Sequence, residues 1–351
     1  MRKFVIPKVA AKVSIAKNYR TYLAKLMSRG TYSKFNFFAD ILSGLKAQED
    51  SNTKTFSIQI KDGHYLMKYS PDMVEQLDEY GAGIVICHEL GHAALSHMGR
   101  MILIADMYSH DKKKQVAAMA VVHLAADYAL NSWLIDVCGI FSLKDLKTRV
   151  GTPKEDSDYE GTPMGTYAGI HPSDVNLPTR KSLEWYVNAL SNRITDQDWS
   201  LDNLFNPGGE GGKGNPGQGD GDDAAAGGSL ARAVEKMTQD QLDELIEAAG
   251  LDPEGDIDNL LGDTDSNSGD GEGMSPAELA DQLSREFKRM MAQAKDAQKS
   301  RGTMPGGMTD WLEELFRPPA VDWKQELKKY TKTAAPRGVK STLGRPRRRH
   351  I

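Results

Sequence analysis

Cysteine is scarce in this chain of 351 residues, and only Cys87 and Cys138 occur. Two cysteines cannot form the disulfide framework that supports many small secreted domains, and such sparse use suits a reducing compartment. The first residues also lack the continuous apolar core of a secretory signal peptide, because Lys8, Lys12 and Lys17 interrupt it. We therefore expect a cytoplasmic protein.

Long apolar runs and a strong net charge are missing as well. The longest apolar stretch, residues 116–140, contains polar residues, His123 and Asp127 among them, so we predict no membrane span. A formal net charge of −5 argues against nucleic acid as a partner of the whole protein. Residues 328–349 carry only basic charges, but they contain no aromatic residue beyond Tyr330 that could stack on a base. We interpret them as a solvated basic tail.

The composition divides the chain into three predicted parts. Residues 206–223 are rich in glycine and have no large apolar side chain, which is typical of a flexible linker. A second acidic stretch, residues 252–273, follows a short predicted helix at residues 239–249. We predict a domain over residues 1–205, a Gly/Asp-rich disordered linker over 206–273, and a helical segment with a basic tail over 274–351.

Local patterns in the first part predict a mixed α/β fold that is mostly α, with one β-hairpin. Asp62-Gly63 lies between two strand-like runs, residues 56–60 and 65–69. An Asp-Gly pair between such runs is the strongest short signal for a hairpin turn. The strands and the helices around them therefore predict a small sheet within a largely helical domain.

Glycines mark the predicted ends of the helix that follows the hairpin. Gly81 and Gly83 predict a break before this helix begins, and Gly99 predicts its end. A long amphipathic helix is predicted next, over about residues 115–137. The candidate functional residues lie on these two predicted helices.

The first of the two helices carries an HExxH motif, since residues 88–92 read His-Glu-Leu-Gly-His. Residues four apart on a helix lie about 40° apart around its axis, so His88 and His92 can both reach one metal ion. Glu89 lies about 100° further round and can point at a water on that metal. This arrangement is typical of zinc peptidases, in which the glutamate takes up a proton from the water.

A catalytic zinc ion needs a third protein ligand and one open position. Asp127 lies on the second helix, one turn after His123 and one turn before Asn131. Polar residues on one stripe of an apolar helix need a common buried partner, so we favour Asp127 as the third ligand. His97 and His123 are the alternatives for this position. A buried hydrogen-bond network without metal is the alternative to the site as a whole.

Several motifs together resemble those of a family of predicted bacterial and phage metallopeptidases. Members have an HExxH domain at the N-terminus and usually a von Willebrand A-like domain at the C-terminus. The matching stretches are Lys61-Asp62-Gly63 with Tyr69-Ser70-Pro71, His88-Glu89-Leu90-Gly91-His92 with Ser96-His97 and Arg100, Ala126-Asp127-Tyr128-Ala129-Leu130-Asn131, Ser182-Leu183-Glu184-Trp185-Tyr186, Met304-Pro305-Gly306-Gly307, Val321-Asp322-Trp323 and Arg345-Pro346-Arg347-Arg348-Arg349.

This resemblance implies a zincin-like domain in which His88, His92 and Asp127 bind Zn²⁺ and Glu89 is the catalytic base. The chain departs from the family pattern at His123, where members usually have asparagine. It also contains no Asp-x-Ser-x-Ser motif of the kind found in von Willebrand A-like domains. We expect that domain to be absent here or to be supplied by a separate chain.

The predicted function is zinc-dependent hydrolysis of peptide bonds, with a peptide or protein as substrate. The alternative is a metal-stabilised adaptor that cleaves nothing and binds a partner such as an AAA+ ATPase, with which family members are associated. Glu89 favours the enzyme, because a structural zinc ion does not need a base. The long linkers favour the adaptor.

Overall fold

The computed structural model describes residues 30–50, 56–70, 79–149, 171–195, 224–249, 274–301 and 306–316. The chain divides into two compact units, Met1–Met308 and Thr309–Ile351. All the elements that position the candidate site belong to the first unit. The glycine-rich stretch 206–223, the acidic stretch 252–273 and the basic tail lie outside the described residues.

The described part of the chain is mostly helical and contains one small sheet, as the composition and the local patterns predicted. The strands are β1 (Lys46–Glu49), β2 (Phe56–Lys61) and β3 (His64–Tyr69). The helices are α1 (Asn36–Gly44), α2 (Glu79–Ala94), α3 (His97–Met107), α4 (Lys112–Ser132), α5 (Leu143–Arg149), α6 (Leu183–Thr195), α7 (Ala224–Lys236), α8 (Gln239–Ala249), α9 (Pro276–Arg301) and α10 (Gly306–Phe316).

The predicted hairpin is confirmed. β2 pairs antiparallel with β3, and both turn residues have positive φ, 53° at Asp62 and 72° at Gly63. Positive φ at both central residues is what a two-residue type I′ turn requires. β1 pairs with the other side of β3 in parallel, which gives the strand order β1-β3-β2. Among the described strands β2 is therefore an edge strand, with alternate residues Phe56, Ile58 and Ile60 buried.

The prediction that Gly81 and Gly83 form a break before the HExxH helix is wrong. α2 runs without a break from Glu79 to Ala94 and includes both glycines. A Cβ atom on Gly83 would lie 2.8 Å from the buried ring of Phe35, which is closer than carbon atoms approach in proteins. Gly83 therefore serves close packing between elements rather than termination of a helix.

The same helix also ends earlier than Gly99, where the sequence predicted its end. α2 stops at Ala94, and Ser96 adopts a left-handed conformation with φ 56° and ψ 32°. A new helix, α3, begins directly afterwards at His97. Gly99 lies within α3 and faces Ala280, whose Cβ would be 3.3 Å from an added Cβ.

α4 forms the centre of the first unit. Its first turn is capped by Asp111, whose carboxylate accepts a hydrogen bond from the N–H of Lys114. A π-helical segment, Trp133–Val137, continues it. The continuous helix Lys112–Val137 is long and apolar enough to cross a membrane. However, 83% of its most apolar stretch is buried inside the protein, so its length and composition are weak evidence for a span.

The predicted linker range contains two packed helices. α8 confirms the short helix predicted at residues 239–249, whereas α7 was not predicted. α7 packs against α6 and α8 packs against α4, which buries Leu230 and Leu245. The two helices thus belong to the first compact unit.

α9 lies in the predicted C-terminal segment, and it starts with a capping box formed by Ser275 and Glu278. The Ser275 N–H donates to Glu278 Oε2 at 3.0 Å, and the Glu278 N–H donates to Ser275 Oγ at 3.3 Å. One face of α9 packs against α1, α3 and β3 and buries Leu283 and Phe287. α9 is therefore part of the same compact unit as the N-terminal elements, while the boundaries of the three-part division stay a prediction.

Candidate metal centre

α2 and α4 bring three of the sequence-predicted site residues together. His88 and His92 lie on α2, and Asp127 lies on the facing helix α4. The Nε2 atoms of the two histidines are 3.1 Å apart. Asp127 Oδ1 lies 3.3 Å from His88 Nε2 and 3.1 Å from His92 Nε2. These three atoms form a nearly regular triangle that could hold a metal ion.

The dimensions of this triangle fit a tetrahedral zinc ion. Ligand atoms at bond lengths of about 2.0–2.2 Å from zinc lie roughly 3.3–3.5 Å from one another in a tetrahedron. The observed separations of 3.1 to 3.3 Å are close to that edge length. Asp127 Oδ1 is buried and makes no well-aligned hydrogen bond despite these short contacts. An acceptor atom left in this state can be satisfied by a cation.

Asn131 orients the first of the two histidines. Its Oδ1 lies 3.0 Å from His88 Nδ1, one helical turn beyond Asp127 on α4. An amide oxygen can only accept, so the proton of a neutral His88 is on Nδ1 and the lone pair of Nε2 points into the triangle. This is the tautomer that binds metal through Nε2.

The electrostatics of the cluster favour uptake of a cation. Burial alone would lower the pKa of His88, but the contacts with Asp127, together with Glu89 and Asn131, raise it to about 9. Burial alone would raise the pKa of Asp127, but the surrounding imidazoles, that of His123 first, hold it well below its ordinary value. The carboxylate is therefore ionised, and without metal a proton on His88 takes the place of the cation.

Glu89 lies beside the triangle and points toward the sheet. Its Oε2 accepts a hydrogen bond of 3.2 Å from the backbone N–H of Ile58 on β2. Burial raises the pKa of Glu89 to about 7, with the charge of Asp127 acting in the same direction and His88 and the Ile58 N–H opposing it. A carboxyl group with this pKa can both accept and return a proton near neutral pH.

The two alternative third ligands lie outside the triangle. His97 is buried, and its Nδ1 lies 3.2 Å from the Nδ1 of His92. The triangle contains the other ring nitrogen of His92, Nε2. His123 Nδ1 lies 3.8 Å from Asp127 Oδ2, and its ring is stacked against that of His92 with centroids 6.0 Å apart. Both histidines lie next to the site, while the group of side chains that could hold a metal ion consists of His88, His92 and Asp127.

Sequence reasoning did not find the contact between Ile58 and Glu89. It is made by a backbone N–H, so no side chain at position 58 could have indicated it. The hairpin prediction gave the strand but not its packing against α2. Cys87, adjacent to His88, is fully buried, as expected of an apolar core residue rather than a ligand.

Comparison with known proteins places the chain in one family. No curated protein and no solved structure matches it. A family model described as "Putative metallopeptidase domain" matches residues 21–351, which is nearly the whole chain and includes all the residues of the triangle and Glu89. The protein belongs to this metallopeptidase-domain family.

Proposed function

We propose that the protein is a zinc-dependent metallopeptidase with a zincin-like catalytic domain. His88, His92 and Asp127 are the proposed zinc ligands, and Glu89 is the proposed general base. The observation that carries this proposal is the triangle of two imidazole nitrogens and one carboxylate oxygen at 3.1 to 3.3 Å. Three protein ligands leave the fourth tetrahedral position open, which distinguishes a catalytic zinc site from a structural one.

Each residue has a separate task in the proposed reaction. Zinc bound in this triangle would polarise the scissile carbonyl and lower the pKa of a coordinated water to about 7. Glu89 accepts a proton from the attacking water as the new C–O bond forms. It then gives this proton to the amine nitrogen as the C–N bond breaks. Asn131 holds the His88 ring in place throughout.

The proposed substrate is an extended peptide that pairs with β2. The N–H of Ile58 points away from β3 and donates to Glu89, so the edge of β2 that pairs with no other described strand lies beside the base. Backbone groups of alternate residues in an antiparallel strand point to the same edge, so the backbone groups of Ile60 lie on the same edge as those of Ile58. A peptide strand paired with this edge would run past Glu89 with its side chains on alternate faces.

Metal analysis together with two variants tests the proposal. The wild-type protein should bind one zinc ion, and Asp127→Ala should lose most of it. Glu89→Gln should retain zinc and the wild-type melting temperature, but hydrolysis of an unfolded protein substrate should fall by about 10²- to 10⁴-fold. Within the part of the chain that the structure describes, Glu89 accepts one backbone hydrogen bond, from Ile58, and a glutamine oxygen can replace that contact.

Two results would contradict the proposal. Zinc retained in Asp127→Ala but lost in His97→Ala or His123→Ala would show that the third ligand is wrong. Equal, negligible hydrolysis by wild type and Glu89→Gln, with both binding a partner ATPase, would favour the metal-stabilised adaptor instead.

A further inference from the structure

His97 owes its position to an interruption of the helix at the residue before it. On a continuous helix His97 would lie about 140° round the axis from His92. Ser96 instead takes the left-handed conformation, with φ 56°, and α3 restarts at His97. A residue other than glycine rarely adopts this conformation, because its Cβ atom comes too close to the following carbonyl oxygen. The left-handed residue brings His97 against His92, and only 1% of the surface of His97 is exposed.

The contact between the two histidines fixes where one proton must be. The Nδ1 atoms of His92 and His97 are 3.2 Å apart, and such a contact needs one donor and one acceptor. His92 Nε2 must keep its lone pair for a metal in the triangle, so the proton of a neutral His92 is on Nδ1. His92 is then the donor, and the bare Nδ1 of His97 is the acceptor.

We propose that His97 is a positioning residue that fixes the tautomer and the ring orientation of His92 for metal binding. This inference rests on the proposed zinc site. It gives His92 the same kind of support that Asn131 gives His88, whose Nδ1 also faces an acceptor at 3.0 Å. Each histidine of the triangle is thus held by one partner, Asn131 on α4 and His97 at the start of α3.

A pair of substitutions at position 97 separates this role from simple packing. His97→Leu keeps a buried side chain of similar size but offers no acceptor. His97→Asn is smaller, but its amide oxygen can lie close to where Nδ1 of the histidine lies and can accept the same proton. His171→Leu is the matched control, because His171 is 3% exposed and contacts Asp136 and Ser173 rather than a proposed ligand.

Zinc affinity, measured by competition with a chelator, is the first readout. His97→Leu should weaken zinc binding about 10- to 100-fold, while His97→Asn and His171→Leu should retain the wild-type affinity. Nitrogen-15 NMR of the histidine rings is the second readout. The zinc-loaded wild type should show His92 protonated at Nδ1, and in His97→Leu this proton should exchange faster with water.

Three outcomes would overturn the inference, and they can be told apart. Wild-type affinity in His97→Leu would show that His92 needs no support from His97. Complete loss of zinc in both His97 variants, with zinc retained in Asp127→Ala, would make His97 a ligand. A wild-type protein that takes up no zinc at all would instead refute the proposed function on which the inference rests.

Discussion

Gly91, inside the HExxH motif, offers a sharp test of the packing that forms the candidate metal centre. A Cβ atom at this position would lie 2.3 Å from Cδ1 of Leu130, a fully buried side chain on α4. Carbon atoms in contact are normally about 3.5–4.0 Å apart, so Gly91→Ala demands more than about 1 Å of additional space. Leu130 lies on α4 within one turn of both Asp127 and Asn131. If the clash shifts α4, both of these residues shift with it.

The structure sets the size of the expected effects. Overpacking of a core costs about 1–3 kcal/mol, and the better helix propensity of alanine offsets about 1 kcal/mol of this. Metal–ligand distances in a functional site are held to within about 0.2 Å. If α4 moves by even half of the required distance, Asp127 leaves the triangle. We therefore expect Gly91→Ala to lose zinc affinity far more severely than stability.

Melting temperature and zinc affinity should be measured together, with two controls. Gly83→Ala makes the same exchange on the same helix, but its added Cβ meets the ring of Phe35 at 2.8 Å, and it should cost stability without affecting zinc. Adding Leu130→Ala to Gly91→Ala removes the clash and should restore part of the zinc affinity. Wild-type zinc affinity in Gly91→Ala alone would refute the claim that contact between α2 and α4 sets the geometry of the triangle.

Two further predictions concern pH and the predicted linker. The pKa of His88 is raised in the metal-free protein, so its stabilising contribution is complete below pH 6.5 and is lost as the pH rises through about 9. Thermal unfolding should therefore show the metal-free protein losing stability over this range and the zinc-loaded protein losing less; parallel curves would refute this. Leu245→Ala, at a fully buried position of α8, should cost about 2–5 kcal/mol in denaturant unfolding, whereas a cost below 0.5 kcal/mol would mean that α8 is not part of the packed unit.

The features that sequence predicted well are those determined by residues close together in the chain. The Asp62-Gly63 turn requires positive φ at two neighbouring positions, and few residue pairs accept this as readily. The i,i+4 spacing of His88 and His92 follows directly from helix geometry. Asp127 was favoured as the third ligand because a carboxylate on an apolar helix needs a buried partner, and the structure places it in one group with His88 and His92 that could hold a metal ion.

The features that sequence did not predict depend on contacts between distant residues. Gly83 suggested a local break in the helix, but this position needs a glycine because the ring of Phe35, almost fifty residues earlier, packs against it. Ser96 is an ordinary helix residue by composition, and nothing in its neighbourhood indicates a left-handed conformation. The supporting role of His97 depends on that conformation, so sequence reasoning could keep His97 only as a candidate ligand.

The packing of α9 on the N-terminal elements has a consequence during synthesis of the chain. Phe287 packs against Tyr65 with ring centroids 5.3 Å apart, and Gln298 and Arg301 both reach Asp40 on α1. The ribosome adds these last residues roughly 200 positions after the HExxH motif, which at about 5–20 residues per second is some 10–40 seconds later. Throughout that time the apolar surface that α9 covers is exposed. A nascent chain would thus contain the residues of the candidate metal centre long before it can complete the fold that holds them, and a fragment ending near residue 205 would remain in that incomplete state.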